Sequence, residues 1–168
     1  MINVTAKTNI ENLSELYHTD YYTWAMTNAQ LLKEGKLGEV DYINLAEEVK
    51  DLGKSEYYKL ESYFANLLSH LYKWDNQPEL RSKSWKNTIK HSFIQIEDII
   101  NDNPGLKPQI KKAYNKAWNE AANIIFKDTQ GKIDVPDDLP YSLKEAIIKT
   151  IEITGIDKSS ISFLKHLI

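Results

Sequence analysis

From residue 55 to residue 100 the apolar side chains recur at intervals of three and four. Tyr57, Leu60, Phe64, Leu67, Leu71 and Trp74 form one series, widened by Leu68, and Trp85, Ile89, Phe93, Ile96 and Ile100 form another. This spacing puts each series on one face of a helix, and the added Leu68 gives a stripe of bundle width. Between them Pro78 excludes the helical conformation at Gln77, so the first helix frays after Trp74 and a short corner turns the chain. Long helices joined by so short a connection are antiparallel neighbours. Asn101-Asp102-Asn103-Pro104-Gly105 then ends the second helix. Each buried Leu, Ile or Phe contributes about 1.5–3 kcal/mol. Apolar positions extend beyond the shared seam, so other helices must cover this central pair.

Several segments carry that pattern. Residues 1–18 show no clear period and read as an N-terminal arm with at most a short turn. Asp20 is placed to cap a helix through Lys33 that Gly35 terminates, with Tyr21, Trp24, Ala25, Asn28, Leu31 and Leu32 on its inner side. Asp41 is placed to cap the next helix. Its apolar stripe is Tyr42, Leu45, Val49 and Leu52, and Gly53 is expected to end it before Ser55 caps the central pair. After that pair, Leu106 to about Asp128 reads as another long helix. Alanines at 113, 117 and 121 on its stripe suit close helix–helix approach. An acidic, proline-containing connection, residues 134–140, leads to Ser142 and Glu145. Their spacing is that of a capping box, opening a helix through about Ile153 that Gly155 ends. Asp157 or Ser159 is placed to cap a short terminal helix through Leu167. The β-branched run from Ile147 to Ile153 has a strand-like composition but no evident partner strand. The expected fold is all-α: an antiparallel helical bundle of about five main helices plus short C-terminal helices. Residues 19–141 would form the bundle, and 142–168 a C-terminal helical extension packed on it.

Composition narrows the function classes. A chain of 168 residues is long enough for a real core. It has no cysteine, hence no disulfide framework and no thiolate chemistry. The first residues lack the apolar segment of a signal peptide, and no apolar run approaches the ~20 residues needed to span a membrane. A cytoplasmic location with no membrane partner is therefore expected. The net charge of −3 makes no global case for nucleic acid. Its distribution is uneven: Glu39, Asp41, Glu47, Glu48 and Asp51 crowd one segment, and Lys73, Arg81, Lys83, Lys86 and Lys90 another.

The motifs D-Y-Y-T-W-A, L-L-K-E-G, N-L-A-E-E-V-K-D-L-G-K-S-E, L-L-S-H-L-Y-K-W and Q-P-E-L-R-S-K-S-W-K-N-T-I occur in that order. Together they resemble the bacterial and cyanobacterial domain-of-unknown-function family number twenty-nine, over roughly Tyr17 to Tyr141. The resemblance implies a bacterial, all-helical bundle and supplies no activity. Its pattern falls on Asp20, Trp24, Glu47, Glu48, His70, Lys73, Trp74, Arg81, Ser84 and Trp85. That set holds more polar residues than a packing motif requires.

Two constellations follow from these residues. Glu47 or Glu48 with His70 flank the apolar stripes of what the pattern makes two neighbouring helices. A carboxylate beside the imidazole would raise its pKa and suit acid–base work, whereas a buried pair of the same kind would only hold helix register. Lys73, Arg81, Lys83, Lys86 and Lys90, beside Trp74 and Trp85, combine cations with aromatic faces as in single-strand or RNA binding; a solvated helix face over core tryptophans has the same composition. No phosphate-binding glycine loop, nucleophile elbow or zinc spacing is present, so no metal is assigned and no cofactor is identified. Glu15-Leu16-Tyr17-His18 is a single Glu-x-x-His, where a di-metal bundle site needs two. The first reading is a protein-interaction or self-association module, since tyrosines such as Tyr17, Tyr57, Tyr58 and Tyr72 suit an interface. The alternatives are a nucleic-acid-associated protein (a nuclease accessory or toxin–antitoxin component) and an enzyme using the Glu/His group.

Overall fold

The computed structural model describes residues 4–161, and the helical spacing is realised there in six α-helices. They are α1 (Val4–Thr19), α2 (Tyr21–Lys33), α3 (Tyr42–Asn76), α4 (Lys83–Asp102), α5 (Ile110–Thr129) and α6 (Leu143–Thr154). Short 3-10 turns link several of them, and the described residues contain no strand. No helix among them is long and apolar enough to cross a membrane. The chain forms two compact units, Met1–Gly53 and Lys54–Ile168.

Two expectations about helix ends are corrected. Gly53 does not stop a helix and Ser55 does not start one, because α3 runs through both. A glycine inside a helix costs about 1 kcal/mol relative to alanine. Ending the helix there would expose carbonyls and amides that need new caps, and the flanking Ala, Leu, Glu and Lys residues favour continuation. Residues 4–19 are not an arm but helix α1, which packs on α2. Its period is weak in the sequence; packing of Leu13, Leu16 and Tyr17 supplies what propensity does not.

In the first unit Asp20 alone separates α1 from α2. Its carboxylate accepts from the Thr23 amide (3.1 Å) and the Thr23 hydroxyl (2.6 Å), the expected cap. Gly35, at φ +72°, ends the segment as expected. Trp24 and Asn28 are buried, but Tyr21 and Leu32, expected on the inner side of α2, are exposed. The Tyr42, Val49 and Leu52 positions of the next stripe are exposed as well, with Leu45 half-buried.

The second unit is a helical bundle with one apolar core. Leu60, Phe64, Leu67, Leu68 and Leu71 of α3 meet Ile89, Phe93, Ile96 and Ile100 of α4 in it. Tyr114, Trp118 and Ile125 of α5 and Ala146 and Ile147 of α6 complete it. Ala113, Ala117 and Ala121 are fully buried, as close helix approach requires. α5 begins at Ile110 rather than Leu106, because Pro104 and Pro108 hold residues 104–109 in a 3-10 turn. Ser142 and Glu145 form the full capping box of α6, and Gly155, at φ +72°, ends it. Beyond it Asp157 opens only the turn Lys158–Ser160; the rest of the expected terminal helix, through Leu167, lies outside the described residues.

Candidate functional sites

The first unit is organised on the Trp24 indole. Its Nε1–H donates to Asp41 Oδ2 at 3.0 Å. The same oxygen accepts from Asn44 Nδ2 at 2.7 Å, while Asp41 Oδ1 takes the Asn44 amide at 3.4 Å at the start of α3. Asn28 closes the circuit: Nδ2 donates to the Trp24 carbonyl (2.9 Å) and Oδ1 accepts the Asp41 amide (2.9 Å). Burial pushes the Asp41 carboxyl up, but hydrogen bonds from Asn44, Trp24 and Ser14 outweigh it and leave its pKa below the ordinary value. Trp24, Asn28 and Asp41 are all buried. The sequence marked Asp41 only as a cap and Asn28 only as inward-facing; their pairing spans a loop and could not be read from spacing.

Glu48 lies at the edge of this cluster. Its two oxygens accept from the Tyr17 hydroxyl (2.7 Å) and the Tyr21 hydroxyl (2.7 Å). The Glu48 bond pushes the Tyr17 hydroxyl up to about 12 and raises that of Tyr21. Both tyrosine rings pack on Trp24, with centroids 4.8 and 5.4 Å away. Glu47 is exposed and pairs with Lys50 at 2.9 Å, one turn along.

His70 is half-buried in the second unit. Its Nδ1 lies 2.9 Å from the Asn66 carbonyl, which can only accept, so Nδ1 carries the proton and Nε2 the lone pair of the neutral ring. The imidazole meets Trp85 edge to face, with centroids 6.5 Å apart. Burial, and then the Lys73 charge, lower its pKa from the ordinary 6.5. A carboxylate beside the imidazole would raise that pKa; the shift is the opposite. Glu47, Glu48 and His70 were placed on neighbouring helices, but all three lie on α3. Each has other partners: Lys50 for Glu47, the two tyrosines for Glu48, and Asn66 and Trp85 for His70.

The basic row separates into two kinds of residue. Lys73 is buried, pairs with Asp128, and lies 5.4 Å from the Trp85 ring centroid. Arg81 stacks on Trp74 at 5.3 Å and donates through Nε to the Trp74 carbonyl at 2.8 Å. These two cations belong to the corner between α3 and α4. Lys83, Lys86 and Lys90 remain exposed along α4. Ser84 is exposed beside them, its carbonyl accepting from the Thr88 hydroxyl.

One polar cluster went unrecognised in the sequence. Asp75 accepts from Lys149 Nζ at 2.7 Å on both oxygens and from the Tyr141 hydroxyl at 2.6 Å. Burial raises the Tyr141 pKa, and the bond to Asp75 adds to it. Nearby, Tyr72 donates to the Asp134 carbonyl (2.7 Å), Trp118 to the Pro136 carbonyl (3.0 Å) and Tyr114 to the Tyr141 carbonyl (2.9 Å). These tips pin down the acidic connection before α6. Each partner is distant in sequence, so no local motif announces the cluster. The described residues hold no group of three or more His, Asp or Glu close enough for a metal ion.

No curated protein and no solved structure matches the chain. The sequence profile described as Domain of unknown function DUF29 matches residues 16–150, from the end of α1 into α6 and beyond the Tyr141 limit the motifs implied. The matched region contains the Trp24–Asn28–Asp41 cluster, the tyrosine-bound Glu48 and the Trp74–Arg81 corner, and the chain belongs to the DUF29 family.

Proposed function

We propose that the chain is a self-association module whose docking face is the stripe Tyr42, Leu45, Val49 on the N-terminal part of α3. One observation carries this reading: Tyr42 is 69 % exposed and Val49 65 % exposed, with Ile43 beside them at 64 %. Apolar residues at steps of three and four are the seam by which helices pair, yet Tyr42 and Val49 of this seam are open to solvent. A second copy supplies an identical seam, and a two-fold pairing lets one patch meet itself. Glu47 next to the stripe is neutralised by Lys50, which removes one like-charge penalty from such an approach. The nucleic-acid reading is supported less, because Lys73 and Arg81 are engaged by Asp128 and Trp74.

Size-exclusion chromatography with light scattering tests the proposal. The wild type is expected as a dimer at micromolar concentration, and Tyr42→Glu with Val49→Glu as a folded monomer by circular dichroism. A wild-type monomer at 100-fold higher concentration, or a double variant that stays dimeric, would overturn the self-association reading.

A further inference from the structure

The β-branched run from Ile147 to Ile153 holds more apolar side chains than one buried face of α6 needs. Ala146 and Ile147 enter the core. Leu143, Ile147 and Ile151, at steps of four, line a groove of about 640 Å³ against α5, with Ile148 exposed at its edge. The Tyr114 ring also lines it, its hydroxyl already bonded to the Tyr141 carbonyl. Three lysines also line it, besides Asn115, Leu139 and Ser142: Lys111 from α5, Lys144 from the first turn of α6, and Lys158 from the turn beyond it.

None of these three ammonium groups has a carboxylate partner among the described residues. Glu145, the acid next to Lys144, is held in the capping box, bonded to the Ser142 amide at 2.7 Å. An apolar groove of this size lined by a few polar groups has the form of a small-molecule site. Here three of those groups are lysines without a carboxylate partner among the described residues, so the complementary ligand has an apolar body and an anionic head.

We propose that this groove binds a single-chain alkyl carboxylate, a free fatty acid of medium chain length. Its chain lies along Leu143, Ile147 and Ile151, and its carboxylate meets the lysines. Each methylene buried strengthens binding about fourfold. The groove lies in the second unit and the proposal does not depend on the α3 stripe.

Titration calorimetry on the full chain, with dodecanoate below its micelle concentration, tests this. The expected result is one site per chain and affinity rising about fourfold per methylene from decanoate to dodecanoate. Dodecanol and the variants Lys144→Glu and Lys158→Glu are expected to bind at least tenfold more weakly, and Lys127→Glu, at the far end of α5, as the wild type does. Lys144 and Lys158 are exposed, so their variants keep the core. Absence of dodecanoate binding, equal affinity for dodecanol, or an equal loss in Lys127→Glu would overturn the proposal. Binding to phosphatidylglycerol vesicles without binding to the monomeric acid would do the same, by assigning the lysines to a lipid surface.

Discussion

In the second unit, helices α4, α5, α6 and the later part of α3 put aliphatic and aromatic residues into one core, with the half-buried Asp75–Lys149 pair at its edge and Lys73 buried in its pair with Asp128. In the first, the buried apolar side chains among the described residues are Leu13, Trp24 and Val40, accompanied by the polar Asn28 and Asp41. Meanwhile Tyr22, Met26, Leu37, Tyr42, Ile43 and Val49 of that unit are exposed. The second unit is held by area removed from water; in the first, a hydrogen-bonded circuit has little apolar burial behind it among the described residues. Such a circuit defines one geometry at a modest net gain per bond, because each bond replaces one to water. A unit so built gains more from a partner that covers its apolar stripe than does one whose core is already closed.

The largest expected effect separates the two kinds of stabilisation directly. Phe93→Ala removes a fully buried ring between helices of the second unit, and a loss of about 3–5 kcal/mol is expected in urea unfolding. Amide exchange should show the loss of protection in residues 54–161. A loss below about 1 kcal/mol would mean that this core is not what holds the unit.

Asp41→Ala should come next. It leaves the buried Trp24 Nε1–H and the Asn44 amide without their acceptor, at a cost of about 1–3 kcal/mol. The increased exchange should fall in residues 12–53, and the Trp24 indole proton should lose its protection. An unchanged indole exchange rate would show that the circuit does not order the first unit.

The smallest effect concerns pH. The folded pKa of His70 lies below the ordinary 6.5, chiefly through burial. Its contribution to stability is therefore complete above pH 6.5 and is lost as the pH falls through the folded value, because the unfolded chain takes up the proton first. The melting temperature should drop between pH 7 and pH 5, and His70→Gln should flatten that slope while leaving the value at pH 7.5 nearly unchanged. An identical slope in the variant would remove His70 from the account. A slope of the opposite sign would restore a carboxylate partner for it.

Particular residues show how far the chain could be read without its structure. Leu60 through Leu71 and Ile89 through Ile100 were legible as core because period alone places them on one face, and a face that apolar must be covered. The Asp20 cap, the Ser142–Glu145 box and the ends at Gly35 and Gly155 were legible because a cap is a contact between residues a turn apart. Gly53 misled because a local breaker signal competes with the whole ladder of a long helix, and one glycine costs less than two new ends. Residues 4–19 misled because a weakly periodic segment becomes a helix when a neighbour packs on it.

The chemistry-bearing residues divide along the same line. Composition and motif order were enough to mark Glu47, Glu48, His70 and the basic row, and to place the chain in its family. Tertiary structure alone decided that Glu48 serves two tyrosines, that His70 is held neutral against Asn66 and Trp85, and that Lys73 is internal. It also decided that Tyr42 and Val49 face solvent and that three lysines meet an apolar groove. Periodicity and capping are properties of neighbours along the chain, whereas charge partners and exposure depend on residues brought together from distant positions.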